Sequence, residues 1–407
     1  MSERAKRILV ITIFVVIVLV AGFGIWWYFF RPLLVPSVAP APPPTPVTPS
    51  TGLTPARPAA PRPSISVTPG APGALPSPVA AGGLTSTTAL TQTSVLAPSL
   101  AGDGSTIQYY NRSDGKFYRI LPDGSAQTLS DKVFFNVSAV TWAGDRAQAI
   151  LEYPDGANIL YNFATGRQAT LPRHWQNFSF SPRSDGIAFL SLGADQDSRW
   201  LAISSPDGSG SRAIEGLGNN ADKVHVAWSP NDQVVAFSRT GLPQGANEQE
   251  ILLIGKNHEN YRSLIVNGIG FRPRWSPDGA KLLYSATSAD NDWKPQLWIA
   301  GATPANIGEG KTGLGLATWA DKCAFANPGT IYCAVPTNLP RGAGLYPAIA
   351  ANTPDQLWKV DLRTGARQLI AIPSEDHTID TITISNDERS LYFTDKISGQ
   401  LYKIDLK

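Results

Sequence analysis

The segment whose residue types and spacing come closest to a known chemistry is Ala305-Asn306-Ile307-Gly308-Glu309-Gly310-Lys311-Thr312. It fits a phosphate-binding loop with Ala in place of the first Gly. Such a loop works where a strand leads in and a helix leads out, so that loop amides and the helix N-terminus cradle phosphate. Here Gly313-Leu314-Gly315-Leu316 follows, a poor start for a helix. The segment reads as a Gly-rich connection, and no nucleotide is expected. The four histidines, His174, His225, His258 and His377, are dispersed, and none forms the His-Glu-x-x-His pair that aims two ring nitrogens at one metal. His225 alternates into a strand before Trp228 and reads as a structural histidine. No Gly-x-Ser-x-Gly elbow occurs to hold a nucleophilic serine. The pairs Asp195/Asp197 and Asp290/Asp292 sit in polar loops, where spacing fixes no geometry for glycoside hydrolysis; a loose calcium site is the alternative reading. The expectation is a chain with no catalytic residue, no cofactor and no metal.

Cys323 and Cys333, the only cysteines, flank Asn327-Pro328-Gly329 at equal distances from Pro328. A three-residue hairpin turn there would set them directly opposite on neighbouring strands, close enough for a bridge. A disulfide and two buried free thiols are the two readings, and a zinc knuckle is excluded by the spacing. Asn111-Arg112-Ser113, Asn136-Val137-Ser138 and Asn177-Phe178-Ser179 match the glycosylation acceptor pattern, which matters only in a host that glycosylates secreted proteins.

The elements around these residues are set by composition. Lys and Arg total 34 against 32 Asp and Glu, so there is no basic surface of the kind that attracts nucleic acid, and no nucleic-acid partner is expected. Gly 36 and Pro 34 imply many turns and a linker, and 11 Trp suit aromatic-rich β structure. From Ile8 to Phe30 the chain is continuously apolar, which is enough residues to cross a bilayer. Arg4, Lys6 and Arg7 precede it and Trp26, Trp27 and Tyr28 lie at its far end, an arrangement that keeps residues 1–7 cytoplasmic and places the remainder outside. A cleaved signal peptide is the rival, but the apolar run is long for one and Trp26 to Phe30 make a poor cleavage site. Residues 31–84 are rich in Pro, Ala, Ser and Thr, with charge after Arg31 only at Arg57 and Arg62. Such a stretch cannot bury enough apolar area to offset its ordering entropy, and its prolines favour an extended spacer.

The rest of the chain, 85–407, repeats. The turn Ala101-Gly102-Asp103-Gly104 returns as Ala143-Gly144-Asp145, Ser181-Pro182-Arg183-Ser184, Trp228-Ser229-Pro230-Asn231 and Trp275-Ser276-Pro277-Asp278-Gly279, with weaker copies at Asn327 and Ser385. Pro presets φ, Asp or Asn bonds the local backbone, and Gly accepts positive φ. Short β-rich runs follow each turn, such as Ile187-Ala188-Phe189-Leu190 and Val234-Val235-Ala236-Phe237. Units begin near residues 92, 138, 177, 224, 272, 316 and 380. This predicts an all-β propeller of about seven four-stranded blades, with six or eight as neighbours, the last completed by a strand from residues 84–90. The Trp-Ser-Pro-Asp-Gly turn with its aliphatic-aromatic strand, clearest in Trp228 to Ser238 and Trp275 to Ser285, resembles the WD-repeat-like units of TolB-type propellers. That resemblance implies a fold and a tendency to bind other proteins. A membrane anchor and spacer stand where TolB has a small N-terminal domain, so its partners are not carried over.

The expected function is a membrane-tethered, extracytoplasmic protein-binding or scaffold module of the cell envelope, with another envelope protein as partner. Three consecutive units carry long loops after the second strand, Arg239 to Glu250, Ala286 to Pro295 and Pro336 to Thr353, and long loops on a rigid scaffold are where binding resides. Trp293, Arg341 and Tyr346 are the contacts expected there, since these residue types anchor interfaces. Mere length variation is the bland reading of the same loops. The alternative function is a propeller enzyme or glycan-binding protein whose site lies at the central channel.

Overall fold

The computed structural model describes Thr12, residues 15–24, and residues 75–407 apart from Ala246 and Asn260. The chain divides into two units, Met1–Val67 and Thr68–Lys407. In the first, the described residues are helical. No helix among the described residues is long and apolar enough to cross a membrane. The remainder of the expected span 8–30, and the expected linker up to residue 74, lie outside the described residues.

The second unit is a seven-bladed β-propeller. Blade one comprises Val95–Leu100, Ile107–Asn111, Lys116–Ile120 and Ala126–Thr128. Blade two runs from Ala139 to Leu171, blade three from Trp175 to Gly216, blade four from Val224 to Asn267 and blade five from Ile269 to Gly313, each with four sequential antiparallel strands. Blade six starts with Cys323–Asn327 and ends with Arg367–Pro373; blade seven holds Ile379–Ile384, Ser390–Asp395 and Leu401–Asp405. Inner strands of neighbouring blades touch and surround the axis. Turns between the first and second strands gather on one face of the ring, and loops after the second strand share the other with the connections between blades.

Each of the seven gaps between blades holds one apolar cluster, for example Phe237, Ile251 and Phe271 with Tyr284 between blades four and five. A second strand is thus buried on both faces. This is why Ile187-Ala188-Phe189-Leu190 and Val234-Val235-Ala236-Phe237 are apolar without alternation. The repeated turn has its own mechanics. Ser229 and Ser276 are fully buried. Ser229 Oγ donates to Asn231 Oδ1 at 2.6 Å and accepts from the amides of Gln233 and Val234; Ser276 Oγ donates to Asp278 Oδ1 at 2.6 Å and accepts from the Lys281 amide. The turns also stitch blade to blade. Gln108 and Gln148 donate to the carbonyls of Arg146 and Ser184, Asn231 to Gly279, and the Asn386 amide to Gly104. The Trp residues serve the same end: Trp142 Nε1 donates to Ala97 O and Trp275 Nε1 to Ala227 O, each on the preceding blade.

Ring closure differs in detail from the expected single strand. Thr88–Ala89 supplies the outer strand of blade seven, pairing antiparallel with Lys403 and Tyr402. Leu84–Thr85 instead runs parallel to Ile372–Pro373, making blade six five-stranded rather than four-stranded. Pairing begins further upstream than residue 85, with Ser77 bridging Thr85 and Val79 bridging Asp405. The physical reason is the gap between two blades at their outer rim, which one extended segment crosses by pairing first with one edge and then the other.

Cys323 and Cys333 face each other in register and form a disulfide. The turn between them is a two-residue Pro328-Gly329, not three, and a bulge between Phe325 and Asn327 restores the alignment. The bridge closes a short loop of sequence separation 10 inside the fully buried cluster between blades five and six. By the chain-entropy argument it contributes about 2–3 kcal/mol. Replacing both cysteines with alanine is expected to lower the unfolding free energy by about that amount in denaturant titration, with the fold retained; an unchanged midpoint would show that the bridge does not constrain the unfolded chain.

Candidate functional site

The three long loops lie on one face, on consecutive blades four, five and six. The blade-four loop is tied by Leu242 N donating to Glu250 Oε2 at 2.8 Å, and Glu250 Oε1 accepts from Ser263 Oγ. Asn247 O accepts the Gly268 amide at 2.6 Å, and Gly268 packs directly on Thr287 at the root of the blade-five loop. In that loop a short helical turn at Ala289–Asn291 is followed by Asp292 and Trp293, both at positive φ, which turns their carbonyls toward blade six. The Gly342 amide donates to Asp292 O and the Gly344 amide to Trp293 O, both at 2.8 Å. The blade-five and blade-six loops are therefore one hydrogen-bonded unit.

The blade-six loop is held down from below. Trp319, Leu339, Ala343 and Ala350 form a small apolar cluster beneath it. Lys322 Nζ donates to both carboxylate oxygens of Asp355 at 2.7 and 2.6 Å, and Asp355 also accepts the Ile379 amide of blade seven. Burial pushes Lys322 down and Asp355 up, and their direct contact opposes both shifts.

Trp293, Arg341 and Tyr346 are brought onto this one rim: Trp293 is partly covered, Arg341 is exposed, and Tyr346 is 71% exposed beside Leu345 and Ile349. Leu242 projects from the blade-four loop, 72% exposed. The rim thus offers apolar side chains on a backbone that is itself bonded. Asp195 and Asp197 belong to the blade-three loop and Asp290 and Asp292 to the blade-five loop, and among the described residues no three His, Cys, Asp or Glu converge as a metal site would require. Lys311 of the phosphate-loop-like segment donates to Asn267 Oδ1 and Ile265 O on blade four, so its charge is engaged, and no helix follows.

A second cluster, not foreseen from sequence, lies at the channel mouth below the rim. On the innermost strand of blade five, Phe271, Pro273 and Trp275 point toward blade four, while Arg272 and Arg274 point the other way, toward the lumen and blade six. Arg272 Nη1 donates to Asp321 Oδ2 at 2.8 Å, and Arg274 Nη1 reaches Asp321 O at 3.4 Å. His225 stands on the next inner strand, exposed to the lumen between buried Val224 and Val226, rather than satisfied in the core. Desolvation by the surrounding strands pushes its ring down, with Asp321 opposing and Arg239 adding to the shift. Pro347 and Ala350 of the blade-six loop line a cleft of about 60 Å³ with Arg272, Trp319, Asp321, Lys322, Asp380 and Lys396. The sequence signal was the alternation Phe271-Arg272-Pro273-Arg274-Trp275, which on an innermost strand sends both arginines to the axis.

No family model matches the chain, and no curated protein does. The chain is similar in structure to an oligogalacturonate lyase in complex with manganese, with a TM-score of 0.59 and 13% identity over 79% of this chain and 93% of that one. It is also similar to the oligogalacturonate lyase of Vibrio parahaemolyticus, at 0.55 and 11% over the same shares. The Cps50 (Swd1) β-propeller domain of Myceliophteria thermophila matches at 0.52 and 13%, over 79% of this chain and 100% of that domain. At such identities the likeness defines the class alone: this is a seven-bladed β-propeller.

The Gly344 contact gives a direct test of the rim. A Cβ there would lie 2.5 Å from Thr287 Oγ1 and 2.8 Å from Trp293 O. Gly344→Ala is therefore expected to separate the two loops and speed hydrogen exchange at the Gly342 amide, while blade amides stay protected. Unchanged exchange would mean the loops are not held by this pairing.

Proposed function

We propose that the protein is a TolB-type propeller, tethered to the membrane through residues 8–30 and held outside the cytoplasm, that binds another envelope protein through the rim of blades four to six. The observation that carries this reading is the backbone bonding of two neighbouring long loops, Gly342 to Asp292 and Gly344 to Trp293, beneath exposed Tyr346, Leu345 and Ile349. Exposed apolar side chains cost little entropy to bury when the backbone beneath them is already fixed. Scattered apolar residues are ordinary on a surface, but grouped ones beside an exposed Arg mark contact sites. The disulfide supports the compartment, since such bonds persist in oxidising environments.

The test is a photo-crosslinking residue introduced at Tyr346 in the full-length protein and, separately, at Asp123, which lies in a turn on the opposite face. One defined adduct is expected from the Tyr346 position and none from Asp123. Arg341→Ala with Tyr346→Ala is expected to weaken capture of that same partner by about tenfold or more. Equal crosslinking from both faces, or capture indifferent to the double substitution, would overturn the placement.

A further inference from the structure

Blade four leaves part of its third strand uncovered. That strand, Glu248–Gly255, is eight residues long, but the outer strand Leu264–Asn267 pairs only with Glu248 to Ile251. In blade two, by contrast, the outer strand pairs with Asn158 to Tyr161, nearly all of the third strand. Continuing the register of blade four would set Arg262 opposite Leu253. The chain takes another course: Arg262 Nη1 reaches Glu309 Oε1 of blade five at 3.4 Å, and Glu259 and Tyr261 pack back onto Gly255. The place beside Leu253 is thus left without a strand.

The direction of the backbone groups there follows from one bond. The Lys256 amide donates inward to Gln233 O on the second strand. Alternation along the pleat turns Ile254 and Leu252 inward as well, and Leu253 outward with both its N–H and its C=O. Neither group has a partner strand among the described residues. The Leu253 side chain, 4% exposed, lies in the cluster between blades four and five. Yet Leu253 lines a groove of about 440 Å³ on the opposite side of the sheet, where Glu215 and Leu217 of blade three form the far wall. It reaches that groove through its backbone. An outward N–H and C=O on one residue of an open edge is the template that strand addition uses.

We propose that this groove takes an extended peptide segment of another protein, carrying Lys or Arg, which adds as a strand at Leu253 and sets its basic side chain toward Glu215. One peptide residue supplies both the carbonyl and the N–H that Leu253 faces. Leu252, 36% exposed, and half-buried Ile254 project on the groove side, so apolar side chains at alternate peptide positions have surface to cover. Charge selects the segment: Glu215 and Glu259 line the groove, no Lys or Arg does, and an acidic segment is repelled. The groove uses none of Trp293, Arg341 and Tyr346, so it does not rest on the partner proposed for the rim.

The experiment uses full-length protein labelled with ¹⁵N-leucine and three end-capped pentapeptides: Val-Lys-Val-Lys-Val, the same sequence with Glu for Lys, and the Lys peptide N-methylated at every amide. Hydrogen exchange is read at Leu253 and binding by titration. The Lys peptide is expected to bind saturably and to slow exchange of the Leu253 amide, which acquires an acceptor, while the inward Leu252 amide hardly changes. The N-methylated peptide, which has no donors to offer, is expected to give no protection. The Glu peptide is expected to bind at least about threefold more weakly, and Glu215→Lys to reverse that preference. Binding of the Lys peptide without protection at Leu253, equal binding of the N-methylated peptide, or no preference for Lys over Glu in the native protein would each overturn the assignment. Protection of Leu253 that grows with protein concentration alone would name a second copy of this chain as the occupant, and would overturn it too. If Glu215→Lys fails to fold, the comparison of the three peptides on the native protein still decides.

Discussion

A ring of blades stands or falls on its closure. Seven twisted sheets arranged about an axis leave one outer edge at the end of the chain, and an open edge is both a weak point and a template for aggregation. Here Thr88–Ala89 covers the edge of blade seven and Leu84–Thr85 that of blade six. The same short segment therefore binds two blades at once, and the apolar cluster between them, with Tyr332, Leu357, Ile382 and Phe393, is clamped from outside as well as filled from within. Everything described on the loop face depends on that clamp, because Asp355, which anchors the blade-six loop through Lys322, bonds to the Ile379 amide of blade seven across the same gap.

Stability is distributed rather than central. Each gap between blades has its own cluster, and the turns at Gly104, Arg146, Ser184 and Gly279 contribute a carbonyl to a neighbouring blade. Asp103, Asp185, Asp278 and Asp387 of these turns are held below the usual carboxylate range. For Asp103, burial alone would raise the carboxyl, but hydrogen bonds from the Thr106 hydroxyl and from the Thr106 and Ser105 amides hold it down at about 2. The lumen is where this economy is broken. There Arg272 pairs with Asp321 at 2.8 Å, while Arg274 makes one bond of 3.4 Å to Asp321 O.

How much of this was legible in the sequence follows from physical locality. Turns and short strands are local, so the repeating Ser-Pro-Asp-Gly signals marked the blade starts, whereas the symmetric cysteines left a disulfide and two free thiols both open until the strand register joined them. The loops could be recognised by length, and Trp293, Arg341 and Tyr346 stand on two of them, joined by the Gly342 and Gly344 amides. The cluster of His225, Arg272, Arg274 and Asp321 was not legible, because its members come from three blades and meet only when the ring is closed. Only the alternation around Arg272 hinted at it. The parallel pairing of Leu84–Thr85 was hidden for a similar reason: nothing in two residues declares which edge they will cover.

The measurement that tests the account most directly is native-state hydrogen exchange at the closing segment. Gly82 donates to Ile370 O and Leu90 to Leu401 O, both at 2.8 Å, so their amides report closure on blades six and seven. If the clamp holds the ring together, these amides exchange only as slowly as the amides inside the blades, through global opening. If they exchange rapidly while the Phe393 and Leu357 amides remain protected, the ring stands without its closing strands, and the account of what fixes the rim and the lumen is wrong.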